Sequence, residues 1–185
     1  MTRHFFFILA ICPLFFATSC DDEDPILCDP CEEELITRVT WTLTPSDANN
    51  EVVSFSFVDA DGDGGNAPVL SSTGTLVANA TYDGVVSFAN EDELIDPEIM
   101  EEDEDHQVFY LSSANLDISV AYDDMDSDGN PLGLLTTVTT GAASVGDVQI
   151  ILRHEPMKGS MSTIDNPAIA GGETDVEVTF DATIQ

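Results

Sequence analysis

Apolar and polar residues alternate along much of the chain from Leu35 onward, and this period of two restricts the fold more than any other feature. The alternating runs are rich in Val, Ile, Thr and Phe, and Gly, Asn and Asp interrupt them at short intervals. Alternation places one face of each strand in a core and the other in water. Two such sheets bury their dry faces against each other, so the sequence predicts an all-β fold, an Ig-like antiparallel β-sandwich. The residues predicted to face its core are Leu35, Val39, Trp41, Leu43, Val53, Phe55, Phe57, Leu116, Ile118, Val120, Tyr122, Val148, Ile150, Leu152, Val176, Val178, Phe180, Ala182 and Ile184.

One segment departs from this alternation. Residues 91–105 contain ten acids, and the few apolar residues around Asp96-Pro97 recur at roughly helical spacing. The segment therefore predicts one short acidic helix or ordered loop that crosses between the two halves of the sandwich. The alternative is a solvated acidic loop with no binding role, since runs of like charge usually form wet faces.

The N-terminus predicts a lipoprotein signal peptide over residues 1–19. Arg3 and His4 precede an apolar run over residues 5–17, which is shorter than the roughly 20 residues needed to span a bilayer. The sequence "TSC" at residues 18–20, followed at once by acids, resembles a bacterial lipobox. That resemblance implies cleavage before Cys20 and lipid attachment to its thiol, although Ala17 stands where Leu is usual. The alternative is an ordinary signal peptide cut near Ser19.

Residues 20–34, "CDDEDPILCDPCEEE", predict an acidic tether, and residues 35–185 predict a single β-sandwich domain. A disulfide between Cys28 and Cys31 is the favoured interpretation of "CDPC" in an exported chain. The acids after Cys20 resemble an export signal by which some Gram-negative bacteria display lipoproteins on the outer face of the outer membrane. In other lineages an Asp directly after the lipidated Cys favours retention in the inner membrane. We therefore expect an outer-membrane lipoprotein of the cell envelope, exposed at the surface and held to the membrane by its lipid.

The strongly negative charge of the chain limits the classes of ligand that it can bind. Four basic residues stand against 36 acids, and the formal net charge is −32. A protein that binds nucleic acid needs a basic face to displace counterions, so the composition excludes the usual nucleic-acid binder. It favours high solubility, the binding of divalent cations, or a salty habitat that screens self-repulsion.

Two acidic loops follow alternating runs and resemble the DxDxDG calcium loops of EF-hands and of calcium-binding β-hairpins. They are "DADGDGG" at 59–65 and "DMDSDGN" at 124–130, and the ligands that this resemblance implies for calcium are Asp59, Asp61, Asp63, Asp124, Asp126 and Asp128. The twelfth position, where an EF-hand has a bidentate Glu, is Leu70 in one loop and Leu135 in the other. A full EF-hand is therefore excluded, and a site here needs oxygens from Asp123, from residues 91–105 or from backbone carbonyls.

Turn formation is the alternative explanation of these two loops. Asp, Asn and Gly are the residues that tight hairpin turns require, because they tolerate positive φ and bond their own backbone. A turn needs only one or two of them, however, and carboxylates about 4 Å apart repel by roughly 1 kcal/mol in water. The sequence leaves both interpretations open.

The sequence predicts that the protein is not an enzyme. His106 and His154 could each act as an acid or a base, but the sequence contains no nucleophile motif, no HExxH and no phosphate-binding loop. "RHE" at 153–155 predicts an ion cluster at a sheet edge. We therefore expect a non-catalytic lipoprotein whose protein or glycan partner is unknown. The alternative is a solute- or glycan-binding lipoprotein that assists an outer-membrane transporter.

Several phrases spread over the chain carry a family resemblance: "DGDGGNAPV", "EEDEDHQVFY", "DMDSDGNPLGL", "TTGAASVG", "LRHEPMKG" and "GGETDVEVTF". On these phrases the chain resembles a family of small acidic bacterial lipoproteins of unknown function. Members are sometimes called type 1 periplasmic binding fold proteins. That label implies a bilobed α/β architecture, which the alternating pattern contradicts.

Overall fold

Strands make up most of the computed structural model, which describes residues 35–62, 64–159 and 163–185. Within those ranges the elements, in chain order, are β1 Arg38–Pro45, β2 Val53–Val58, β3 Val69–Thr73, β4 Thr81–Asn90, β5 Glu93–Leu94, α1 Asp96–Glu101, β6 His106–Ser112, β7 Ile118–Tyr122, β8 Leu135–Thr140, β9 Ser144–His154, α2 Pro167–Ala170 and β10 Glu173–Ile184. Several predicted features lie outside the described residues: the signal peptide, Cys20, the tether with Cys28 and Cys31, and Asp63.

The strands form two antiparallel sheets, which confirms the predicted β-sandwich. The first sheet has the order β3-β2-β1-β4-β8-β7, with the short β5 paired to the end of β4. The second sheet has the order β10-β9-β6. The division differs from the four strands against three of an Ig constant domain. The predicted acidic crossing is also present, because α1 lies between β4 of the first sheet and β6 of the second.

Aromatic rings from both sheets meet in the core. Trp41 of β1 is fully buried, and its ring centroid lies 5.5 Å from that of Phe55 and 5.8 Å from that of Tyr110. Phe55 in turn lies 5.6 Å from Phe180 of the second sheet. Offset contacts of this kind add about 0.5–1.5 kcal/mol each to the stabilisation from burial.

The predicted core positions are confirmed with one clear exception. Leu35 is 59% exposed, because β1 begins only at Arg38 and the residue precedes the sheet. The other predicted residues except Tyr122 pack in or against one cluster, with Phe57, Ile118 and Val120 half-buried. Tyr122 is half-buried, and its hydroxyl donates to the carbonyl of Val108. The period of two therefore located the inner faces of these strands.

The second sheet also has a buried patch on its outer face, which the alternating pattern did not predict. Phe109 of β6 and Ile151 of β9 pack there with Ala170 of α2, and all three are buried. The short helix α2 begins at Pro167, a residue suited to the first helical turn. It covers part of a face that strict alternation would leave in water.

The topology brings all three acidic segments to one end of the sandwich. The first acidic loop joins β2 to β3, residues 91–105 follow β4, and the second acidic loop joins β7 to β8. The register places the end of β2 and the end of β4 on either side of the start of β1, and the start of β8 beside β4. We call this region, residues 59–62, 64–65, 91–105 and 123–130, the acidic end.

Candidate functional site

The second acidic loop uses its aspartates to build the turn. Asp126 Oδ1 accepts the backbone N–H groups of Asn130 at 2.7 Å and Asp128 at 3.1 Å. Asp124 accepts the backbone N–H groups of Gly133 at 2.6 Å and Leu135 at 2.9 Å. The turn chemistry that the sequence left open is therefore present in this loop. These carboxylates are held in fixed directions by the backbone that they organise.

A lysine already supplies a cation to this loop. The ammonium of Lys158 lies 2.9 Å from Asp126 Oδ2, and the two side chains are 5% and 0% exposed. It also donates a hydrogen bond to the carbonyl of Asp103. Desolvation raises the pKa of Asp126, but the hydrogen bonds from Lys158 and from the backbone of Asn130 outweigh it, so that pKa lies below its usual range. Asp126 of this loop therefore forms a buried ion pair with Lys158, a partner that the spacing of the aspartates did not predict.

Residues 91–105 contact the second loop as the sequence suggested. The single hydroxyl hydrogen of Ser127 is shared between Asp103 Oδ1 and Glu104 Oε1, each 2.9 Å from Oγ, and the Ser127 N–H donates to Asp103 Oδ2 at 3.1 Å. Oxygens from outside the loop therefore lie beside it. The contacts run through Ser127 of the loop, and both carboxylates that they reach belong to residues 91–105.

The first acidic loop is more open. Asp61 Oδ2 accepts the backbone N–H and the side-chain amide of Asn66, both at 2.8 Å, and the backbone bond holds the pKa of Asp61 below its usual range. Asp59 Oδ1 is buried and accepts no hydrogen bond from the described residues. Among those residues, no lysine or arginine forms an ion pair with Asp59 or Asp61. The second loop, by contrast, has Lys158 paired with Asp126.

The two histidines come together with a carboxylate. His106 begins β6, His154 ends β9, and the register places them directly opposite each other, with ring centroids 4.8 Å apart. His106 Nε2 lies 4.0 Å from Asp175 Oδ2, and the side chains of His106 and Asp175 are both fully buried. One ligand atom from each of the three residues can be chosen so that all lie within 4.8 Å of one another. The sequence named both histidines but missed Asp175 and the grouping.

The predicted ion cluster of Arg153, His154 and Glu155 at a sheet edge is wrong. Strand β9 is the central strand of its sheet, with β10 on one side and β6 on the other. Arg153 donates to the carbonyl of Gly172 at 3.3 Å, while His154 faces His106. The Glu155 backbone N–H donates to the carbonyl of Asp105. Arg153 and His154, neighbours in β9, thus point to different partners, as alternation along a strand requires, and Glu155 lies beyond the strand.

The aromatic side chains of the described residues lie in the core or against it. None of these rings is exposed, and Trp41, Tyr82, Phe88 and Phe109 are fully buried. A shallow groove of about 220 Å³ is lined by Phe55, residues 70–72, Phe180 and Asp181. Among the aromatic residues that the structure describes, Phe57 and Tyr122 are half-buried and the others are buried.

Within the described ranges, no helix has the length and apolar character required to cross a membrane. The chain has no match among protein-family models, curated proteins or solved structures.

Proposed function

We propose that this chain is a non-catalytic lipoprotein of the bacterial cell surface, anchored by lipid on Cys20, whose β-sandwich is stabilised by calcium at its acidic end. The observation that carries the proposal is the convergence of three acidic segments at one end of the sandwich. Hard divalent cations prefer carboxylate and carbonyl oxygens, and they relieve the repulsion between crowded carboxylates.

The contrast between the two acidic loops supports calcium binding at the first of them. In the second loop a lysine ammonium neutralises Asp126. In the first loop Asp59 and Asp61 have no such described partner, and Asp59 Oδ1 is buried. A buried carboxylate oxygen needs a donor or a cation, since leaving it without either costs stability. We infer that calcium fills at the first loop the role that Lys158 has at the second.

Calcium is expected to raise the melting temperature of the purified chain. At a tenfold excess over its dissociation constant, a ligand of the folded state adds about 1.4 kcal/mol, or roughly 3–6 °C for a domain of this size. The measurement is a thermal melt in calcium chloride against sodium chloride of equal ionic strength, because general screening affects both alike.

The double variant Asp59→Asn/Asp61→Asn should lose this calcium shift. The matched control is Asp147→Asn/Asp181→Asn, which removes two exposed carboxylates that face each other across β9 and β10. That control should keep the shift, because its residues lie at the other end of the strands. Equal shifts in the two variants would show that calcium acts on overall charge and not on the loop.

Lipid attachment is tested separately. Cys20→Ala should prevent incorporation of labelled fatty acid and move the protein from the membrane fraction to the soluble one, because one thiol carries the predicted anchor. External protease should degrade the wild-type protein on intact cells if it is displayed on the surface. Membrane association unchanged in Cys20→Ala would refute the anchor, and protection from protease would refute surface display.

A further inference from the structure

Each strand of the second sheet contributes one residue to the cluster of His106, His154 and Asp175. The two histidines are paired across β6 and β9 on the face that carries the core residues Val108 and Leu152. Asp175 belongs to β10, where the register shifts between Thr174 and Val176. In strict alternation from Val176, the Asp175 side chain would lie on the outer face. The bulge instead turns it inward, and its side chain is fully buried.

A hydrogen bond fixes the protonation pattern of His106. Its Nδ1 lies 3.1 Å from the carbonyl oxygen of Glu102, and a carbonyl oxygen can only accept, so Nδ1 carries a hydrogen. The Nε2 lone pair of a neutral His106 then faces the side of Asp175, 4.0 Å from Oδ2. The imidazole nitrogen and the carboxylate oxygen are thus two potential metal ligands on neighbouring parts of one sheet. The bond from Nδ1 to a carbonyl is also the usual way in which a metal-binding histidine is oriented.

We propose that His106, His154 and Asp175 form a binding site for a transition-metal dication, with zinc as the ion that fits best. Two imidazole nitrogens and one carboxylate suit zinc, whereas calcium takes oxygen ligands almost exclusively. Tetrahedral zinc places neighbouring ligand atoms roughly 3.4 Å apart. The ligand atoms lie within 4.8 Å of one another, so binding of zinc requires them to approach by up to about 1.4 Å. The ion would link β6, β9 and β10, one ligand from each strand.

This site is separate from the calcium site of the proposed function in residues and in chemistry. The full chain is stripped with a chelator and titrated with zinc in buffer that contains millimolar calcium, so that carboxylate-only positions are already occupied. We expect one zinc ion per chain, an increase in melting temperature, and X-ray absorption from two imidazole nitrogens in the zinc shell.

The variants His154→Gln and Asp175→Asn should each weaken zinc binding by at least about 100-fold, since loss of an outer-shell partner alone costs 10–100-fold. Asp181→Asn is the matched control on the same strand, and it should bind zinc like the wild type. The circular dichroism of each variant shows whether it folds. If a variant does not fold, the X-ray absorption spectrum of zinc bound to the wild type tests the proposed ligands. Equal zinc affinity in His154→Gln and Asp181→Asn, an oxygen-only zinc shell, or no zinc uptake by the wild type would each overturn the proposal.

Discussion

Replacement of Lys158 by Met is expected to lower the free energy of unfolding by about 3 kcal/mol, or the melting temperature by roughly 10 °C. The ammonium lies 2.9 Å from Asp126 Oδ2, and both side chains are almost completely buried. Removal of one partner leaves the other charge buried without compensation, which is the costly case for an ion pair. The measurement is equilibrium unfolding by denaturant, with the circular dichroism of the sheets as the signal.

Arg38→Met is the matched control for the loss of a positive charge. Arg38 lies 3.6 Å from Asp92, but this pair is exposed, and exposed pairs contribute little. We expect no measurable loss of stability in this variant. The double variant Asp126→Asn/Lys158→Met should recover part of the loss seen in Lys158→Met, because it removes both buried charges. Equal losses in Arg38→Met and Lys158→Met would show that only the total charge of the chain matters.

Measurement of stability as a function of acid pH separates the contribution of the Lys158–Asp126 ion pair from that of the packing of the lysine stem. The pKa of Asp126 in the folded chain lies below the ordinary value of 3.8. A carboxyl with a depressed pKa stabilises the fold fully above the unfolded pKa, and this contribution is lost as the pH falls through the folded pKa. The stability difference between wild type and Lys158→Met should therefore be fully present at neutral pH and shrink through the acid range in which Asp126 is protonated, first in the variant and then in the wild type. A constant difference down to pH 2 would assign the loss to the packing of the lysine stem.

Local sequence pattern was sufficient for the fold class and most of the core. Residues such as Val39, Trp41 and Leu43 alternate with polar residues, and a strand has a period of two, so the inner face follows directly. The bulge beside Asp175 breaks that rule, because one extra residue reverses the direction of the side chain. The apolar period of one strand does not show where its register to a neighbouring strand shifts, so this bulge could not be predicted from the sequence.

The partners in the candidate sites depend on contacts that are distant in sequence. Lys158 meets Asp126 across 32 positions, and His106 meets His154 because β9 returns between β6 and β10. The spacing of the aspartates predicted where carboxylates gather. It could not predict whether they bind a metal or the backbone, because a carboxylate oxygen accepts an N–H and a cation in the same direction.

Gly133→Ala is expected to destabilise the chain by about 2–6 kcal/mol, since strain at positive φ and overpacking each cost about 1–3 kcal/mol. Gly133 has a φ of +97°, and a Cβ there would lie 2.8 Å from the carbonyl oxygen of Val108 and 2.8 Å from Tyr122 Cε1. The backbone of Gly133 also joins the two sheets at the second acidic loop. Its N–H donates to Asp124, and its carbonyl accepts the Tyr110 hydroxyl at 2.8 Å.

Gly129→Ala in the same loop separates the two causes of this loss. Gly129 has a φ of +83°, but a Cβ there would meet no atom within 4 Å, so only the backbone strain of about 1–3 kcal/mol applies. Burial raises the pKa of Tyr110 well above its usual range, so its hydroxyl stays protonated and continues to require an acceptor. Displacement of Gly133 would remove that acceptor, whereas displacement of Gly129 would not. Urea unfolding of both variants gives the comparison, and equal losses would mean that the close approach of β6 to this loop contributes nothing to stability.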